Sequence, residues 1–183
     1  LIDEEKMSKS MGNVFTLPDI VARGYRPSAL RYLLLSTHYR KQMNLSGEGL
    51  EGSLEAVRRV GEFAHRLETA RGATAELADA AVAAEKEFRE ALSDDLNAPE
   101  AVAALFMFIQ RANAELDKNG TDTSALARAR EAFAAMDGVL DLRPRVVRLV
   151  VGPESVEPDP SGLPDTEPVE QAAITWAIER LRG

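Results

Sequence analysis

No cysteine occurs among the 183 residues, which excludes a disulfide framework and any thiolate-ligated metal. The two histidines, His38 and His65, are too isolated to suggest a zinc site. Long apolar runs are absent as well: none approaches the roughly 20 residues that a membrane-spanning helix needs, and the opening residues do not read as a secretory signal. Together these absences point to a cytoplasmic chain with no membrane partner and no metal of its own. What is present is ordinary for a globular protein, 45% apolar and 28% charged, and the length suits one domain with a core or a small domain with an appendage.

A net charge of -8 argues against a general nucleic-acid binder held by phosphate neutralisation. The charge is unevenly placed, however. Residues 1–71 carry 11 Lys plus Arg against 9 Asp plus Glu, whereas 72–183 carry 11 against 21. A phosphate-binding surface therefore belongs in the first part.

That part opens with Lys6-Met7-Ser8-Lys9-Ser10, followed by Met11-Gly12-Asn13. Two lysines three apart, among hydroxyl residues and closed by Gly-Asn, form a cationic loop suited to gripping phosphates, because each ammonium is a compact charge on a flexible stem. For an isolated Lys-x-x-Lys a solvated polar loop is the plainer reading.

Downstream the pattern is helical. Thr16-Leu17-Pro18-Asp19 has the form of a helix start, predicting a short helix over 18–23 that Gly24 ends. Pro27-Ser28 opens a second, with Leu30, Leu33, Leu34 and Thr37 on one side and Arg31 alongside; its wide apolar face predicts burial between other elements. The octapeptide from His38 to Leu45 is either a plain connection or a basic, aromatic-flanked segment able to touch RNA. Ser46 is a good N-cap for a long helix over 47–71, striped by Leu50, Leu54, Val57, Val60, Ala64 and Leu67. Arg58, Arg59, Arg66 and Arg71 fall largely off that stripe, as a solvated face or an RNA contact surface.

Three further helices are expected over 75–92, 98–118 and 124–137. The second should bury Val102, Leu105, Phe106, Ile109, Ala112 and Leu116, and the third should close at Gly138. In the turn before the second, Asn97 reads as an N-cap and Glu100 as completing a capping box, with Asp94 and Asp95 explained as turn residues rather than metal ligands. The helices from 47 to 137 can then pack as an antiparallel bundle. Beyond 141 lie an apolar extended stretch at 145–151, a linker over 152–168 rich in proline and acids, and a last helical pattern over 169–182 around Trp176.

The pentapeptide Lys6 to Ser10 resembles the KMSKS signature of class I aminoacyl-tRNA synthetases. With Leu1-Ile2-Asp3, Leu30-Arg31-Tyr32, His38-Tyr39-Arg40, Asn44-Leu45-Ser46 and the Asp94 to Pro99 turn, the chain is similar to the cysteinyl-tRNA synthetases over residues 1–140. The resemblance implies an all-α portion in which a short KMSKS loop and stem-contact helices (1–46) precede an antiparallel, tRNA-binding bundle of the anticodon-binding type (47–140). A linker (141–168) and the start of a truncated anticodon-binding segment (169–183) would follow.

It further implies ATP as substrate, bound by the loop Lys6, Met7, Ser8, Lys9 and Ser10, with Lys9 in contact and Lys6 in support as catalytic residues. The tRNA for cysteine would be the partner, with Arg31, His38 and Arg40 as candidates for RNA or interdomain contacts. The family's HIGH signature, nucleotide-binding fold and zinc site are not found here, and Glu4 stands where the family commonly has glycine. Leu1 is no initiator methionine, so the chain reads as a piece of something longer, inactive without its catalytic half, where zinc is expected. Two other readings stand beside this one: a fragment of the related ligase joining cysteine to an amino-sugar, and a non-catalytic helical module binding tRNA or protein.

Overall fold

A computed structural model describes residues 16–144. The Lys6 to Ser10 loop, the extended stretch at 145–151, the linker and the last helical pattern lie outside the described residues. Six helices occupy the rest: α1 (Leu17–Ala22), α2 (Pro27–Leu35), α3 (Gly47–Thr69), α4 (Glu76–Ser93), α5 (Ala98–Asp117) and α6 (Thr123–Leu140).

Local chemistry sets most of the helix ends. The Thr16 hydroxyl accepts from the Asp19 amide while the Asp19 carboxylate accepts from the Thr16 amide, a complete capping box. Gly24, at φ +88°, takes the left-handed backbone that ends α1. Ser46 caps α3 through the Gly49 amide at 3.1 Å, and Asp122 caps α6 through the amides of Ser124 and Ala125. At α5 only half of the expected box forms. Asn97 accepts from the Glu100 amide, but its own N–H is already taken by the carbonyls of Ala91 and Asp94, leaving no donor for the Glu100 side chain. The last helix overruns Gly138, because Leu140 and Leu142 are buried and draw the chain on for another turn; Asp141, at φ +49°, makes the stop instead.

The bundle runs up, down, up, down, with α4 packed on both α5 and α6. Consecutive α3 and α4 share little contact; α3 lies instead along α5 and α6, parallel to α5. Its parallel course shows in paired contacts, Arg59 over the Phe106 ring and Arg66 bonded to Asn113. Alanines line the α4 seams, Ala81, Ala84 and Ala91 facing a core that holds Ala101, Ala112, Ala125 and Ala129. Such small side chains let helix axes approach to the lower end of the usual range, about 8 Å.

Phe63 of α3 closes the core. Its ring stands edge-on to Phe108 at 5.7 Å and to Phe133 at 5.3 Å, and Phe63 and Phe108 are fully buried. Neither Phe63 nor Phe108 stands in the apolar stripes read from sequence, while Phe106, which does, is only partly buried against Tyr32. The apolar surface of α5 is wider than one stripe, so two phenylalanines two residues apart turn to different neighbours. The wide face of α2 is a correction too. Only Ala29 is buried, Tyr32 and Leu35 pack partly against the core, and Leu34 stays 50% exposed, because α2 packs mainly on α3, with lesser contact to α5 and α1, and leaves its other side open.

At one end of the bundle the α3–α4 and α5–α6 connections cross in backbone contact. Ala73 and Asp122 exchange hydrogen bonds of 3.1 and 2.8 Å as an isolated antiparallel bridge. A methyl group on Gly120 would lie 2.2 Å from the Ala73 carbonyl oxygen. Gly120→Ala is therefore expected to destabilise the chain by about 2–3 kcal/mol, since only a backbone shift relieves the clash. Gly138→Ala, at an exposed helical position with open space around it, should instead stabilise by about 0.5–1 kcal/mol. Urea unfolding of both variants checks the pair, and equal effects would disprove the close approach.

Candidate functional site

The connection from α2 to α3 meets the opposite end of the bundle, where α4 turns into α5. Ser36 ends α2, its hydroxyl donating to the Tyr32 carbonyl at 2.7 Å, and the chain then folds tightly, with the Lys41 amide donating to the His38 carbonyl at 2.7 Å. Within this fold the rings of His38 and Tyr39 stack at 4.8 Å and 22°. The Arg40 amide donates to His38 Nδ1 at 3.3 Å, and its guanidinium lies 5.4 Å from the Tyr39 ring centre.

All three residues turn towards Asp95. The Tyr39 hydroxyl donates to Asp95 Oδ1 at 2.7 Å, Arg40 Nη2 donates to the same oxygen at 2.9 Å, and His38 Nε2 stands 3.9 Å from Oδ2. Arg40 Nε completes the loop of bonds by donating to the Tyr39 oxygen at 2.9 Å. The hydrogen bond to Asp95 is the main reason the Tyr39 phenol is held above its ordinary pKa.

Asp95 and Leu96 reach this position through left-handed backbone, φ +52° and +53°. Leucine there carries a steric cost of about 1–2 kcal/mol. From sequence the paired acids look like no more than turn residues. Asp95 in fact links the turn to a segment 55 residues earlier, a partnership no local pattern reveals.

Arg31 lies elsewhere. Projecting from α2, it pairs with the Asp141 carboxylate just past α6. The candidates thus fall into two places, His38 and Arg40 together on the α4–α5 turn and Arg31 at the α6 terminus, each tying the α2 region to the bundle. Arg40 and Tyr39 keep much of their surface in water at 67% and 61% exposure, so the segment is anchored and accessible at once. Among the described residues no group of three or more His, Cys, Asp or Glu could hold a metal ion, and no helix is long and apolar enough to cross a membrane.

Comparison with known proteins gives these segments a context. Residues 1–55 match the class I (C) tRNA synthetase catalytic domain, and residues 87–142 match the DALR domain. The chain is 38% identical over 145 residues to a cysteine–tRNA ligase of Solibacter usitatus, covering 78% of this chain and 31% of the relative. It is 40% identical over 156 residues to that of Thermus thermophilus, covering 80% and 31%. With the ligase of Chlamydia felis it shares 42% identity over 123 residues, 65% of this chain and 26% of the relative. The chain thus spans less than a third of the length of these relatives. The two matched segments, together with these identities, place the chain in the cysteinyl-tRNA synthetase family.

Proposed function

We propose that this chain contributes the ATP-phosphate-binding loop and the tRNA-binding helices of an enzyme that attaches cysteine to its tRNA at the expense of ATP. The observation that carries the reading is the pairing, in one chain, of a class I (C) catalytic-domain match over 1–55 with a DALR match over 87–142. The division into a loop and stem-contact region over 1–46 and a tRNA-binding bundle over 47–140 belongs to the same proposal.

In this reading Lys9 contacts ATP and Lys6 supports it, with Met7, Ser8 and Ser10 completing the loop. Attack of the cysteine carboxylate at the α-phosphorus releases pyrophosphate, and ammonium groups that tighten on the oxygens as charge develops lower the barrier. Cysteinyl transfer to the tRNA follows. Arg31, His38 and Arg40 hold the segment between loop and bundle in register, while the outer faces of Tyr39 and Arg40 meet RNA. Zinc, in this scheme, is supplied by a part of the enzyme outside this chain, and the enzyme works in the cytoplasm.

The DALR match covers α5 and α6, helices that an amino-sugar ligase has no evident need for, and the relatives above are cysteine–tRNA ligases. Pyrophosphate exchange into ATP by the full-length protein tests the assignment. Exchange should depend on cysteine, and aminoacylation should follow with the cognate tRNA. Transfer of cysteine to an amino-sugar, with none to tRNA, would overturn it.

A further inference from the structure

Left-handed backbone follows four of the helices: Gly24 after α1, Asp95 with Leu96 after α4, Asn119 after α5 and Asp141 after α6. Glycine and asparagine are the ordinary residues at such a stop. An aspartate is less favourable there, because its charge lies against the negative end of the helix macrodipole. Asn119 bonds within its own turn, its Nδ2 donating to the Asp117 carbonyl at 3.2 Å.

The two acids instead reach across the fold. α4 and α6 run in the same direction, so both carboxylates lie at one end of the bundle, where the α2 region meets them. Asp141 receives Arg31 from within α2, which pairs with its carboxylate and donates to its carbonyl at 3.4 Å. Asp95 receives Tyr39 and Arg40 from the turn after α2, at 2.7 and 2.9 Å. Between them in the chain, Tyr32 stands edge-on to Phe106 at 5.9 Å.

These bonds join the two matched segments. The cations lie in the one similar to the synthetase catalytic domain, and the carboxylates in the one similar to the DALR domain. Both ion pairs are partly exposed, so their contribution to stability is too small to explain two acids at positions that favour glycine. A fixed geometry does explain them. One contact would leave α2 free to rotate on the bundle, whereas two at separate points set its place and its orientation.

We propose that Asp95 and Asp141 are positioning residues for cysteinyl transfer. Acting through Tyr39, Arg40 and Arg31, they fix α2, and with it the catalytic-domain segment, relative to the bundle. The consequence falls on transfer to tRNA, the step that needs both parts at once, more than on adenylate formation, which needs the catalytic part. This rests on the reading of the chain as part of a cysteine–tRNA ligase.

In the full-length protein, Asp95→Asn and Asp141→Asn remove the charge while keeping a side chain that tolerates left-handed backbone. Each should slow single-turnover transfer from preformed cysteinyl-adenylate to a cysteine tRNA transcript about tenfold more than it slows pyrophosphate exchange, an order expected of reactants misplaced by about 1 Å or less. The loss should lie in the rate at saturating tRNA and not in KM. Arg31→Gln should match Asp141→Asn, the two together should lose no more than either alone, and Arg31→Lys should retain most of the transfer. Asp141→Gly should transfer as slowly, yet unfold at an equal or higher urea concentration, which separates positioning from folding. Transfer at the unsubstituted rate, equal losses in exchange and transfer, or a lowered unfolding midpoint in Asp141→Gly would overturn the positioning role alone. An unsubstituted protein that forms the adenylate but charges no tRNA would overturn the ligase reading and the positioning role together.

Discussion

Alanine in place of Lys9 in the full-length protein is expected, on its proposed role at ATP, to slow cysteine-dependent ATP–pyrophosphate exchange by about 10²–10³-fold, equivalent to roughly 3–4 kcal/mol of transition-state stabilisation. The size follows from where charge moves. As the α-phosphorus is attacked, negative charge grows on the departing pyrophosphate, and a neighbouring ammonium stabilises that state more than the ground state. The loss should therefore fall on kcat, with the KM for cysteine changed little, because cysteine binding does not use this charge. Lys6→Ala should show a smaller loss of the same kind, as befits a supporting cation. Exchange at the unsubstituted rate in Lys9→Ala would remove the loop from the reaction. A loss confined to KM for cysteine would place it in amino-acid binding instead.

Phe63→Ala is expected to cost about 3–5 kcal/mol of folding stability, the range for removing a buried phenylalanine ring. Its ring is packed by Phe108 of α5 and Phe133 of α6, so truncation opens a cavity where three helices meet. Backbone relaxation cannot fill that space readily, because α5 and α6 are held by their alanine-lined packing on α4. Phe106→Ala is the control. That ring is only partly buried, facing Tyr32 and the Arg59 guanidinium, and its loss should cost less than half as much. Urea unfolding monitored by circular dichroism measures both, and equal losses would contradict the central place of Phe63.

Much of the helical framework is legible in local chemistry. Thr16, Ser46 and Asn97 mark starts because each carries an oxygen that satisfies an otherwise unpaired helix amide. Proline near the first turn of α1, α2 and α5 adds to those signals at no hydrogen-bonding cost. The stripe of α3 and the inward face of α6 also follow from residue spacing, down to Leu126, Ala129, Phe133 and Met136. The phosphate-gripping role proposed for Lys6 to Ser10 is read from residue types and spacing within five positions.

What spacing does not contain is which faces meet. A helix with apolar residues on more than one side can be turned by its neighbours, and so Phe108 rather than Phe106 occupies the centre. The overrun of α6 past Gly138 has the same origin: burial of Leu140 and Leu142 outweighs a weak local break. Long-range polar partners are less visible still. Asp95 with Tyr39 and Arg40, and Arg31 with Asp141, join positions 55 to 110 residues apart.

Residue types and periodicity alone thus determined that residues 16–144 are largely helical and where most of their helices begin. Tertiary structure alone decided that α3 runs beside α5 and that Asp95 anchors the connection carrying His38 and Arg40. The physical reason is range. Capping and amphipathic patterning act within a turn or two of helix, whereas packing and ion pairing depend on the mutual positions of elements far apart in the chain.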